Sequence, residues 1–319
     1  MSCSRAVATA LIAGSILAGA PRTCFAATPP PLKGTISLNA GAIGGHERRY
    51  AVYVPPDLMP GAPLVIVLHG GGGDGPYMRM STGFEFDMLA DANGFVVVYP
   101  NGIGSAWNTC RKRVNNTAKR ERIDDVTFIE AIIAHEALAH HIDRSRVYAT
   151  GHSFGGQMAF RLALERPNEF AGVAAISSNL PVPADNECAA SGMPIPAMII
   201  NGTDDPVNPY RGGRSGGGTT GGSVLSTEAT AAYFVRLNGA GDSPQITRLP
   251  HRDDSDPTWV ERAAWTNSGR EAVVLYTIHA GGHVVPQPWF RYPSNVGRQT
   301  KDLDAPAAIW AFFASLPAR

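Results

Sequence analysis

The stretch that most limits what this chain can fold into is Val147-Tyr-Ala-Thr-Gly-His-Ser-Phe-Gly-Gly-Gln-Met-Ala-Phe160. A β-rich run ends at Gly151, a helical pattern begins after Ser153, and Gly-x-Ser-x-Gly lies between them. A strand-to-helix turn this tight strains the serine backbone and brings neighbouring backbones together, so Gly151 and Gly155 stand where side chains would collide. Gly156 and Ala159 keep the following helix close to the sheet. The helix also points its N-terminal N–H groups at Ser153, which favours negative charge on a carbonyl oxygen bound there. Ser153 is therefore the first candidate nucleophile.

The remaining apolar runs fit a sheet around this elbow. Residues 64–68 (Leu-Val-Ile-Val-Leu) and 95–99 (Phe-Val-Val-Val-Tyr) are continuous hydrophobic stretches, as parallel strands covered on both faces require. Further strands are expected at 170–176, 197–200 and 273–278, and alternation over 34–38 and 49–54 predicts an antiparallel hairpin at the sheet edge. Helices are expected at 84–92, from Asp124 or Asp125 with Val126, Ile129 and Ile133 on one face, from Ser226 to Asn238, and from Asp304. Strands alternating with helices predict an α/β fold with a mostly parallel, doubly wound sheet, whose ligands bind beyond the carboxyl ends of the strands.

At one such end stands His69-Gly-Gly-Gly-Gly-Asp-Gly75. Its spacing also suits a dinucleotide loop, but the acidic residue expected at the end of the next strand is missing, since Pro100-Asn101 follows it. The preferred reading is a loop in which a backbone N–H near Gly71 joins that of Phe154 to hold a developing oxyanion.

A serine hydroxyl needs a histidine to take its proton and a carboxylate to orient that histidine. The elbow resembles that of α/β-hydrolases, in which acid and then base follow the serine along the chain. Strand 197–200 runs into Asn201-Gly-Thr-Asp-Asp-Pro206. Asp205 is favoured because the following proline biases it to extended geometry, and Asp204 stays open as the alternative. After strand 273–278 comes His279-Ala-Gly-Gly-His283, where Gly281 and Gly282 let the loop turn back. His283 is the expected base; His279 is nearly in the strand, and His69 and His152 are expected to be structural. The histidines at 135, 140 and 141 show no metal-ligand spacing, so no metal is expected.

Composition sets the context. With 27 basic and 27 acidic residues among 319, the chain gives no reason to expect nucleic acid or an anionic membrane as a partner. Arg5, the apolar run 6–20 and Cys24-Phe-Ala26 read as a signal peptide over 1–26, followed by one catalytic domain over 27–319 in an exported protein. The mature chain then keeps Cys110 and Cys188, expected to form a disulfide. Between Gly102 and Arg122 an irregular region holds Trp107 and six basic residues, Arg111, Lys112, Arg113, Lys119, Arg120 and Arg122. It is expected to be a solvated loop, with a substrate lip that attracts carboxylate or polyanionic esters as the second reading. The Gly-rich insertion 211–222 reads either as a border of the cleft or as a plain linker.

Leu68-His-Gly-Gly-Gly72, Tyr99-Pro-Asn-Gly102, Asp124-Asp-Val126, Gly151-His-Ser-Phe-Gly-Gly156, Asn201-Gly-Thr-Asp-Asp-Pro206, Asn208-Pro-Tyr210 and Gly281-Gly-His283 occur in this order. Together they resemble the secreted poly(3-hydroxybutyrate) depolymerase and feruloyl esterase family over most of the mature chain. The resemblance implies an α/β-hydrolase fold, Ser153 as nucleophile, Asp205 as acid, His283 as base and no cofactor. It departs where that family often carries a Trp-Pro pair after the histidine, here Val284-Val-Pro286, and in lacking an appended polymer-binding domain. The expected function is a serine esterase acting on hydroxyalkanoate, feruloyl, acetyl or other aryl esters, with Trp107 and Tyr210 as candidate substrate-binding residues. A peptidase or acyltransferase on the same residues, or a catalytically silent binding protein, are the alternatives.

Overall fold

The computed structural model describes residues 28–216 and 222–319. The expected signal segment 1–26, with Cys3 and Cys24, lies outside the described residues, as do residues 217–221 of the Gly-rich insertion.

Among the described residues there are twelve strands: β1 (Thr35–Ile43), β2 (His46–Val54), β3 (Leu64–Leu68), β4 (Val96–Pro100), β5 (Val147–His152), β6 (Gly172–Ile176), β7 (Ala197–Gly202), β8 (Gly213–Arg214), β9 (Ser223–Val224), β10 (Gln245–Arg248), β11 (Trp259–Asn267) and β12 (Arg270–His279). The helices are α1 (Gly75–Ser81), α2 (Glu85–Asn93), α3 (Thr117–Arg120), α4 (Asp125–Ala139), α5 (Phe154–Glu165), α6 (Thr227–Leu237) and α7 (Ala305–Ser315). β8 and β9 form a separate small ladder, and the other strands make one ten-stranded sheet in the order β1-β2-β4-β3-β5-β6-β7-β12-β11-β10.

The centre, β4 through β12, is parallel. In β3 every side chain is buried, yet they divide by parity: Leu64, Ile66 and Leu68 join the core under α4, α5 and α6, while Val65 and Val67 join the one under α1, α2 and α7. Period-two alternation with both faces covered is why this stretch reads as uninterrupted hydrophobic sequence. The expected N-terminal hairpin is β1 with β2, which extends the sheet antiparallel from β4.

Two features differ from the sequence expectation. The opposite edge is also antiparallel, through β11 and β10. β10 is exposed throughout and β11 buries only some of its side chains, so neither carries the apolar run that marks the central strands. The glycine loop also ends in a short helix, α1, because the Asp74 side chain accepts the Tyr77 N–H at 2.7 Å and Pro76 sits in its first turn.

The switch point of the sheet lies at β3, since the chain passes from β3 to β4 on one side and afterwards to β5 on the other. The glycine loop and the serine elbow therefore leave neighbouring strands at the same end of the sheet, where open α/β sheets form their crevice.

Of the two candidate caps of α4, Asp124 serves, accepting the Thr127 N–H at 3.0 Å. Asp125 turns inward to Arg48 Nη2 at 2.7 Å, with Arg48 2% and Asp125 0% exposed, and its second oxygen accepts the Asn108 N–H at 2.7 Å. Cys110 and Cys188 are disulfide-bonded across a separation of 78 residues, tying the loop after Trp107 to the loop after β6.

Two outcomes are expected in urea unfolding. Asp125→Ala strands a buried guanidinium and lowers the unfolding free energy by roughly 3–5 kcal/mol, whereas Asp124→Ala loses only a cap, about 1 kcal/mol. Replacing both cysteines by serine releases a long loop and costs roughly 2–5 kcal/mol.

Candidate active site

Ser153 sits between β5 and α5 with φ 56° and ψ −119°, a backbone conformation that few non-glycine residues adopt. Such strain, of order 1–3 kcal/mol, persists only where the surroundings fix it. Here the Ser153 N–H donates to the Ile176 carbonyl at 2.9 Å, and the Ser153 carbonyl accepts the Ser178 hydroxyl at 2.5 Å and the Gln157 N–H at 3.0 Å. The elbow also lies hard against the neighbouring strand: a Cβ on Gly155 would fall 2.1 Å from the Leu68 carbonyl oxygen.

The loop after β7 brings Asp205 beneath His283. Its Oδ1 accepts the N–H groups of Val207 and Asn208, both at 2.7 Å, and its Oδ2 stands 2.7 Å from His283 Nδ1. An ionised carboxylate only accepts, so Nδ1 carries a proton, and in the neutral ring it is then Nε2 that holds the lone pair. The Asp205 side chain is fully buried and that of His283 is 9% exposed. Asp204, the alternative acid, is instead 57% exposed and 4.0 Å from Arg298. The His283 loop is held by its own N–H on the Val296 carbonyl at 2.6 Å and by the His152 ring, 4.7 Å away between centroids. Burial, and then the neighbouring His283, hold the His152 imidazole well below its ordinary pKa and hence neutral.

Ser153 and His283 line one pocket of about 220 Å³ together with Gly70, Gly71, Tyr77 and Tyr292. The backbone donors sort by elimination. The Gly72 N–H donates to the Ser105 carbonyl and that of Gly73 to the Gly70 carbonyl, while among the described residues the N–H groups of Gly71 and Phe154 have no acceptor. The loop is braced by His69, 0% exposed, whose Nε2 receives the Gly102 N–H at 2.9 Å. Its Nδ1 must then be the protonated nitrogen, and it donates to the Gly70 carbonyl at 2.7 Å. Burial holds this imidazole below its ordinary pKa as well.

The two candidate substrate residues lie elsewhere. Trp107 is 0% exposed and donates its indole N–H to the His69 carbonyl at 2.8 Å, so it props the glycine loop from within the core and has no free face for a ligand. Tyr210 is partly buried with its hydroxyl 2.8 Å from Thr277 Oγ1, and it is not among the residues lining the pocket. Tyr77, Met78, Tyr292 and Asn295, which do line it, were not foreseen. α1 was not expected, and residues 280–304, which carry Tyr292 and Asn295, show no regular periodicity.

Residues 63–262 match the family model described as alpha/beta hydrolase fold. A protein of Nocardia uniformis subsp. tsuyamanensis that bears the provisional name esterase NocK is 32% identical over 286 residues, covering 86% of this chain and 81% of that protein. Feruloyl esterase C of Emericella nidulans is 30% identical over 184 residues, 56% of this chain and 62% of its own length. Among solved structures, an acetyl xylan esterase from Aspergillus awamori shares the fold with a TM-score of 0.58 at 15% identity, covering 87% of this chain and 99% of that one. The elbow at a sheet switch point, the paired acid and histidine after later strands, and these matches have one account: the chain belongs to the α/β-hydrolase family.

Proposed function

We propose that this protein is an exported carboxylic-ester hydrolase in which Ser153, His283 and Asp205 form the catalytic triad. The observation that carries the reading is the 2.7 Å contact of Asp205 Oδ2 with His283 Nδ1, made beside the pocket that holds the strained Ser153. With Nδ1 fixed as the donor, His283 Nε2 takes the Ser153 hydroxyl proton as Oγ bonds to the ester carbonyl carbon. The electron pair displaced onto the carbonyl oxygen meets the N–H groups of Gly71 and Phe154 and the positive end of α5. The alcohol leaves with the proton from His283, and water repeats the sequence in reverse on the acyl-enzyme, restoring the serine and releasing the acid. Two backbone N–H groups hold Asp205 Oδ1, which leaves Oδ2 turned to His283 throughout.

The names of the relatives, feruloyl and acetyl xylan esterases, support esters of small acyl groups as substrates. The disulfide supports an oxidising compartment, and no described helix is long and apolar enough to cross a membrane. An α/β-hydrolase without an intact triad would serve only as a binding protein, and here the acid and base are already in contact.

Against p-nitrophenyl acetate, Ser153→Ala and His283→Ala are expected to lower kcat by on the order of 10⁴-fold or more with unfolding midpoints unchanged, and Asp205→Asn by about 10⁴-fold. A fluorophosphonate is expected to label Ser153 alone. A His283→Ala variant that retains turnover, or a label on another serine, defeats the assignment.

A further inference from the structure

The Ser153 pocket is bounded on one side by the irregular stretch 291–298, and a second, larger cavity lies behind that stretch. Pro293, Asn295 and Val296 line the pocket of about 220 Å³, whereas Arg291, Ser294, Gly297 and Arg298 line the outer cavity of about 700 Å³. Tyr292 is the residue common to both. Its side chain reaches across to α1, where the hydroxyl donates to the Ser81 carbonyl at 3.2 Å, and its ring meets the His152 ring edge-on with centroids 5.9 Å apart. Ser81 and His152 themselves line the pocket, so the Tyr292 ring spans it from the serine elbow to α1. Burial raises the pKa of the phenol, and the hydroxyl is a neutral donor that braces the wall.

This wall is built, not a flap waiting to close. Gln287 Oε1 accepts the N–H groups of Trp289 and Phe290 at 2.6 and 2.7 Å, and Gln299 Nε2 donates to the carbonyls of Gln287 and Phe290 at 2.7 and 3.0 Å. Phe290, 2% exposed, packs edge-on against the Tyr292 ring with centroids 5.1 Å apart. At the far end the N–H groups of His283 and Gly282 donate to the carbonyls of Val296 and Arg298 at 2.6 and 2.9 Å. The size of the pocket is therefore set before any ligand arrives. At about 220 Å³ it falls below the roughly 300–1,000 Å³ of cavities that take drug-sized ligands, and the reacting ester group uses part of that space.

We propose that Tyr292 is a specificity-determining residue: its ring ends the Ser153 pocket, so that acyl groups from acetyl to butyryl are accepted and long or aromatic acyl groups are rejected. This rests on the esterase reading above and narrows it, since an acetyl group fits within the wall and a feruloyl group has to displace it. Closed apolar pockets discriminate sharply, one methylene being worth about 10–200-fold in kcat/KM.

The test compares p-nitrophenyl acetate, butyrate, octanoate and ferulate on the full protein. Wild type is expected to favour acetate and butyrate over octanoate and ferulate in kcat/KM by about tenfold or more. Tyr292→Ala is expected to raise the ferulate-to-acetate and octanoate-to-acetate ratios by about tenfold. Tyr292→Phe, which keeps the ring and loses the bond to Ser81, is expected to hold both ratios within about twofold of wild type. A wild type that takes ferulate and octanoate as readily as acetate overturns the proposal. So does a Tyr292→Ala variant that loses all four esters in equal proportion, the mark of a tyrosine that only braces the loop. Should Tyr292→Ala not fold, Tyr292→Leu, which fills the core side of the site without the phenol ring, is read by the same ratios. Turnover of esters without discrimination by acyl size refutes the role of Tyr292 alone. No turnover of any ester, with Ser153 unlabelled by a fluorophosphonate, refutes the esterase reading and this proposal with it.

Discussion

The structure depends on how closely the serine elbow is pressed against the end of β3. The Leu68 carbonyl occupies the space where any residue larger than glycine at position 155 would place its Cβ. That contact makes two loops neighbours that lie some 80 residues apart in sequence. It brings the N–H of Phe154 beside the glycine loop, and it keeps Ser153 in a backbone conformation it would not hold alone. A looser approach would separate the N–H groups of Gly71 and Phe154, which the proposed mechanism needs side by side for a developing oxyanion.

Around this contact the site is braced by buried polar groups with their hydrogen-bond roles fixed. His69 can receive the Gly102 N–H only through an unprotonated Nε2, so its tautomer is dictated by the backbone. Trp107 holds the same histidine from its carbonyl side. Asp205 is held by two N–H groups of its own loop and presents its second oxygen to His283. In the first two cases a backbone group on one loop meets a side chain on another, and in the third a side chain fixed by its own loop reaches the next, so the site resembles a stitched rim more than a set of independent residues.

Much of this was legible in the chain itself because local constraints spoke directly. The elbow glycines, the apolar runs of the parallel strands and Pro206 after Asp205 each limit backbone geometry over a few residues, and the structure brings Ser153, Asp205 and His283 to one end of the sheet. The walls were not legible. Tyr292 reaches the pocket through a long irregular segment anchored by Gln287 and Gln299, and no periodicity announces such a path. Trp107 was misleading for a related reason: an aromatic residue in an irregular, charged stretch suggests a surface, while its indole N–H had a partner in the core. β10 and β11 escaped because an edge strand has no need of a hydrophobic run.

The disulfide has a consequence for where this protein can be made. Cys110 directly precedes Arg111, and Cys188 lies three residues beyond Asp185, so the bridge clamps the two partners of one electrostatic neighbourhood. The core, by contrast, is built from apolar strands that owe nothing to sulfur chemistry. Material recovered from a reducing cytosol would therefore keep its sheet and the Ser153 elbow while the wall beside Phe154 slackens, so that two preparations of one sequence would differ in how firmly that wall is held.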